Sequence, residues 1–226
     1  MRIFFLIIIV LLTSSKAFSH SDDYKKIKKI EMNVLRNGEV IGYSNYLFEH
    51  KNKTMSVINN TNFEVKLFGV SIFSITSKAL EKYENNKLIF FESKTEQNNK
   101  KKYVNLYYEK SLKKFKIDGS SFKGKAEMDC VIGNWWNHEI LKANKQISPL
   151  SGSVKEQVVT FIGKENIIID NKTYLTERFK LRSKDEKISD DKKLDFDIWY
   201  NPKNNLIMKV KYSKMGEWEY IIKKFE

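Results

Sequence analysis

Cys130 and His138 are the first pair in this 226-residue chain whose types could do chemistry, because a thiol becomes a nucleophile when a neighbouring base lowers its pKa. Val131 and Ile132 follow the cysteine, which is the setting of a small buried hydrophobe, and no orienting residue or oxyanion donor accompanies the pair. Metal chemistry has less to work with: His20, His50 and His138 are scattered, and no carboxylate stands beside any of them at ligand spacing. Asp185, Glu186, Asp190 and Asp191 are close together, but lysines at 184, 187, 192 and 193 interleave them, as in a solvated mixed-charge loop. No phosphate-binding glycine loop, nucleophile elbow, paired-carboxylate motif or cofactor fingerprint is present. The sequence therefore reads as non-enzymatic, with no metal and no cofactor.

The aromatic residues say more. Trp135-Trp136-Asn137 and Trp199-Tyr200-Asn201 each set large rings beside an asparagine near the end of an element. Two readings stand. In one, the rings plug the open end of a curved sheet while the asparagines cap or turn the chain. In the other, Trp135, Trp136, Asn137, Trp199 and Tyr200 line a ligand pocket with an amide as its polar anchor. Both expect Trp136 to be buried, and they part on whether a cavity lies beside it.

Short strands must position these residues. Asn37-Gly38 predicts a hairpin between Ile27 to Leu35 and Glu39 to His50, because both central positions of its turn need positive φ. A third strand runs through Met55, Val57, Phe63, Val65 and Leu67, and Phe68 to Ile75 reads as a doubly buried strand with Gly69 at a bulge or close approach. Further hairpins follow from Ala79 to Gly119, and after residue 153 strands resume at Val154 to Ile162, Asn166 to Asp170, Tyr174 to Leu181, Leu194 to Tyr200, Leu206 to Tyr212 and Glu217 to Phe225. Gly163-Lys164 reads as one of the turns. Only Gly133 to Ala143 breaks the pattern: Trp136, Ile140, Leu141 and Ala143 share a face at helical spacing, with Asn134 or Asn137 to cap it. The expected fold is mainly β, a single curved antiparallel sheet (open barrel or half-barrel) with one short helix near 134–143.

Arg2, the apolar run Ile3 to Leu12 and Ala17-Phe18-Ser19 read as a secretory signal over residues 1–19, with His20 as the first residue of a single β domain over 20–226. Ten apolar residues are half of the ~20 needed to cross a bilayer. Removing 19 of 226 residues leaves 207, and losing Arg2 and Lys16 lowers the net charge from +13 to +11. The expected product is soluble, in the periplasm or secreted, with no disulfide from its single cysteine. Export disfavours nucleic acid as a partner, and the basic balance suits an anionic membrane surface if it is more than a solvated lysine shell. With two prolines and nine glycines against 20 asparagines, asparagine must make many of the turns.

Val34-Leu35-Arg36-Asn37-Gly38-Glu39-Val40-Ile41-Gly42, Trp135-Trp136-Asn137-His138 and Trp199-Tyr200-Asn201-Pro202 together resemble a family of small exported bacterial proteins known only as a domain of unknown function, over about Ile30 to Phe225. Members usually carry aspartate where this chain has Asn201, which removes an ionic role there and leaves a turn role. The hairpin Ile198 to Leu206 is also similar to one in periplasmic lipoprotein carriers. That likeness implies a curved sheet wrapped around a helix and holding acyl chains, with the Trp135 helix at its mouth or across its concave face. The functional expectation is a periplasmic binding module for a lipid-like or apolar ligand, and its rival is an envelope structural or protein-interaction domain with a filled core.

Overall fold

The computed structural model describes residues 24–190 and 192–226; the expected signal, its cleavage site and His20 lie outside the described residues, as does Asp191 of the acidic loop. Eight strands run first: β1 (Lys29–Arg36), β2 (Glu39–Lys51), β3 (Thr54–Leu67), β4 (Val70–Glu84), β5 (Lys87–Gln97), β6 (Lys100–Glu109), β7 (Lys114–Gly119) and β8 (Lys123–Ala126). A short β9 (Val131–Ile132), a 3-10 helix (His138–Leu141) and β10 (Lys145–Ile147) interrupt them. The chain ends with β11 (Val154–Ile169), β12 (Lys172–Ser183), β13 (Asp195–Asn201), β14 (Leu206–Ser213) and β15 (Glu217–Phe225). These described strands form one 15-stranded sheet in the order β8 back to β1, then β15 back to β9. Every neighbouring pair is antiparallel except β9 with β10.

The hairpins follow from turn chemistry. Among the described residues, eight of the twelve non-glycine positions with positive φ are asparagine, so this residue does the turning that glycine does elsewhere. Two expectations fail. Gly163 is not among the positive-φ positions, and the ladder skips one residue between Phe161 and Gly163; the expected turn is a bulge inside one continuous 16-residue strand. The expected doubly buried strand from Phe68 instead begins at a hairpin tip, because Phe68 and Gly69 both take positive φ and turn the chain between β3 and β4. Its exposed start and the first strand of the hairpins expected from Ala79 belong to one strand, β4.

The sheet curves around its core but does not close: β8 and β9, its two edges, are joined by residues 127–130 without pairing. Loop contacts tie the seam. Ser121 N donates to Ser151 O at 3.0 Å, Ser93 Oγ donates to Pro149 O at 2.5 Å, and a Cβ on Gly119 would stand 2.5 Å from Ser151 O. On the far side β1 pairs with β15, so the first and last strands lie side by side in mid-sheet. The main core gathers Phe91, Leu106, Ile117, Trp136, Ile147 and Met208 from both halves of the chain. Ile140, Leu181, Ile198 and Val210 form a second cluster, and Val34, Phe63, Ile75 and Trp218 a third.

Candidate functional site

The segment after β9 is held in the barrel by buried amides. Gln146 Nε2 donates to Gln157 Oε1 at 2.6 Å, and Gln157 Nε2 donates in turn to the carbonyls of Ile140 and Ala143, each at 2.9 Å. Asn137 takes extended backbone and its Oδ1 accepts from Glu139 N at 3.0 Å, capping the 3-10 helix. Of the helix expected near 134–143 only this 3-10 turn forms, with Trp136 and Ala143 outside it, and Asn137 is its cap.

Trp136 is 1% exposed, and three rings meet it edge-on: Tyr24 at 5.0 Å, Phe48 at 5.3 Å and Tyr83 at 5.7 Å between centroids. Its indole N–H reaches a buried carboxylate, Glu81, donating to Oε1 at 2.9 Å. Asn134 Nδ2 donates to the same oxygen at 2.6 Å, and the Tyr83 hydroxyl donates to Oε2 at 2.6 Å. Burial pushes the Glu81 carboxyl up to about 7 even though these three donors pull it down. Burial and the adjacent Glu81 charge hold the Tyr83 hydroxyl far above its ordinary range. A carboxyl tuned near neutrality is what a general acid or base needs, but Glu81 is 2% exposed and its oxygens are engaged by these three donors. Its chemistry here is to fasten the Trp136 segment to β4.

His138 is fastened in the same way. Its Nδ1 lies 2.7 Å from the Tyr24 hydroxyl, its Nε2 lies 3.4 Å from Glu139 Oε1, and its ring stacks on Tyr200 at 5.4 Å. Cys130 is buried, and burial first, then Asp129, pushes its thiol up to about 11, the direction opposite to nucleophilic activation. Trp135 is half-buried against Phe196 at 5.0 Å. Tyr200 donates to Asn205 Oδ1 at 2.6 Å. The candidate residues Trp135, Trp136, Asn137 and Tyr200 thus meet around the 3-10 segment, three by packing on it or within it and Tyr200 through His138. Trp199 stands apart: its indole N–H bonds the Glu165 carboxylate, and the Arg178 guanidinium and Lys209 ammonium lie 5.0 and 5.3 Å from its ring. Beside it, burial would raise the Asp197 carboxyl, yet Lys180 and Arg178 hold it below its ordinary value. Asn201 has the turn role, its Oδ1 accepting from Lys203 N at 2.8 Å and Asn204 N at 3.3 Å.

A cleft of about 500 Å³ opens elsewhere, over β6 to β8, between Tyr107, Lys116, Asp118, Lys123 and Lys125. A smaller one of about 170 Å³ lies near Glu84, Tyr108 and Met128. None of the five candidate residues lines either cleft. Glu81 went unnoticed as sequence, although one signal was there: it alternates with Ala79 and Tyr83, which places a carboxylate on the inward face of a strand. Among the described residues no helix is long and apolar enough to cross a membrane.

No curated protein matches the chain. Among solved structures, the beta-barrel-like protein of domain of unknown function DUF1849 from Brucella abortus is similar, with a TM-score of 0.58 and 8% identity over 88% of this chain and 96% of that one. At that identity the likeness is one of fold. A protein with a YmcC-like fold from Bacteroides fragilis aligns over 88% of this chain and 94% of that one, with 10% identity and a TM-score of 0.37. The three motifs that pointed to an uncharacterised family lie within residues 32–223, which match the family model of the domain of unknown function DUF6134, and the chain belongs to that family.

Proposed function

We propose that this is an exported, non-enzymatic domain of the bacterial envelope whose interior is packed solid and which acts through its outer surface. The observation that carries the reading is the surroundings of Trp136. A carrier of acyl chains needs open apolar space at this point, on the order of 300 Å³ for a drug-sized ligand. The ring instead has Tyr24, Phe48 and Tyr83 on its edges and Glu81 on its nitrogen. The aromatic and asparagine motifs are then the plug and caps of a barrel. Export rests on the apolar run Ile3 to Leu12 and the small residues at Ala17 and Ser19, and N-terminal sequencing of the native protein should begin at His20.

The test is uptake of an apolar fluorescent probe or a long-chain fatty acid. At tens of micromolar, about −6 kcal/mol of affinity, neither should bind, perturb tryptophan emission or raise the melting temperature. Saturable binding with a shift in tryptophan emission would overturn the filled-core reading in favour of a carrier.

A further inference from the structure

Two turn positions break the asparagine pattern with bulky apolar side chains. Phe68 and Met215 hold φ at 50° and 51°, and they are 97% and 89% exposed. A large side chain at positive φ is strained, and an apolar one in water gains nothing there, so neither position is explained by folding. The register places both on one rim of the barrel, since the turns at 37–38, 68–69 and 214–216 sit at the same end of neighbouring hairpins.

The β3–β4 tip is a finger. β2 reaches β3 only as far as Phe63, and β5 reaches β4 only as far as Ile75, with Ser74 bonded to Asn98 at the next step. Past Val65, which is still buried, Lys66 and Leu67 of β3 pair only with β4. Leu67, Phe68, Val70 and Ile72 are exposed on this projection. Its base is rigid: Phe73 packs on Phe63 at 6.1 Å and on Trp218 at 5.7 Å. Trp218 also roots the second tip, donating from Nε1 to Lys214 O at 2.9 Å, while Arg36 Nη2 donates to Met215 O at 2.6 Å. One aromatic cluster thus ties together the bases of the two tips, which stand four strand spacings apart along the curved sheet.

We infer that this rim docks on a lipid bilayer, with Phe68 and its neighbours and Met215 entering the interface as two footings. Two apolar tips on one rim, with the polar Asn37-Gly38 turn between them, suit a plane that both can enter. Charge agrees with an anionic leaflet: Lys66 precedes Leu67, Lys214 precedes Met215, and Lys100 and Lys101 are exposed beside the next turn of the same rim. Glu64 lies 3.2 Å from Lys66, so the apolar tips supply the larger share of the attraction. The inference rests on the surface-acting reading above and names the surface.

The experiment is flotation of the exported chain with vesicles of phosphatidylcholine, with and without phosphatidylglycerol. The wild type should float with both and more with the anionic vesicles. Phe68→Asn combined with Met215→Asn should lower the bound fraction about tenfold, with an unchanged or higher melting temperature, because asparagine accepts positive φ. Phe68→Trp should retain binding and shift its emission to the blue on adding vesicles. Failure of the wild type to float, equal flotation of the double variant, or an unshifted Phe68→Trp spectrum would each overturn the inference. Uptake of an apolar probe would strike only the filled-core reading, so the two failures are distinguishable.

Discussion

Replacing Glu81 by glutamine should remove a pH dependence from the stability of the fold. The carboxyl has an ordinary value of 4.5 and is pushed up to about 7 in the folded chain. A carboxylic acid with a raised folded value binds its proton more tightly when folded, so its contribution is fully present below pH 4.5 and is lost as pH rises through 7. About 2.5 units at 1.36 kcal/mol each make a swing of roughly 3 kcal/mol. Glutamine keeps the shape and does not titrate. Its carbonyl oxygen can accept from Asn134 and Trp136, and its amide can donate to the Tyr83 oxygen. Urea unfolding of both proteins from about pH 4 to about pH 8 is the assay, and the difference between them cancels every other titration. Glu81→Gln should match the wild type at the acid end and exceed it by about 3 kcal/mol at the alkaline end. A difference that stays constant with pH would refute the assignment of a protonatable clamp.

Other outcomes follow from the same contacts. Trp136→Ala should cost about 3 to 5 kcal/mol, read as a loss of urea midpoint, because it empties the centre of the main core. Cys130, 4% exposed with a thiol pushed up to about 11, should react with a thiol reagent at neutral pH only as fast as the chain opens, which mass spectrometry follows directly. Asn201→Ala should lose about 1 kcal/mol by freeing two turn amides, whereas Asn201→Asp, which keeps an accepting oxygen, should melt near the wild type. Gly42→Ala should lower the melting temperature, since a Cβ there would stand 2.1 Å from Asn62 O and force β2 from β3, at about 1 to 3 kcal/mol.

The architecture was legible because turn chemistry is local. Asn37-Gly38, Asn85-Asn86 and their like need positive φ whatever surrounds them, and the strands between inherit the alternation of a sheet with one buried face. The 3-10 helix was legible from Ile140 and its asparagine cap, though its shortness was not, since Gln157 bonds the Ile140 and Ala143 carbonyls from another strand. Phe68 to Ile75 misled because an apolar run has the same composition whether the core or nothing covers it, and only the lengths of β2 and β5 leave its start bare. Glu81 stayed hidden for a related reason: its partners Asn134 and Trp136 lie more than 50 positions away. Alternation can place a carboxylate inward, but it cannot say what receives it.

The ladder between β1 and β15 also sets the order in which the molecule can be finished. The carbonyl of Glu226 accepts from the amides of Lys28 and Lys29, and Lys29 O accepts from Glu226 N, so residues nearly 200 positions apart must meet to complete the ladder. Until the nine residues of β15 arrive, β1 is an open edge bearing Ile30, Met32 and Val34, all of them core residues. Such an edge recruits any strand that comes near, including that of another unfinished chain. Every chain that lacks β15 carries this defect, so it would behave as an aggregating species and not as a weaker version of the native fold.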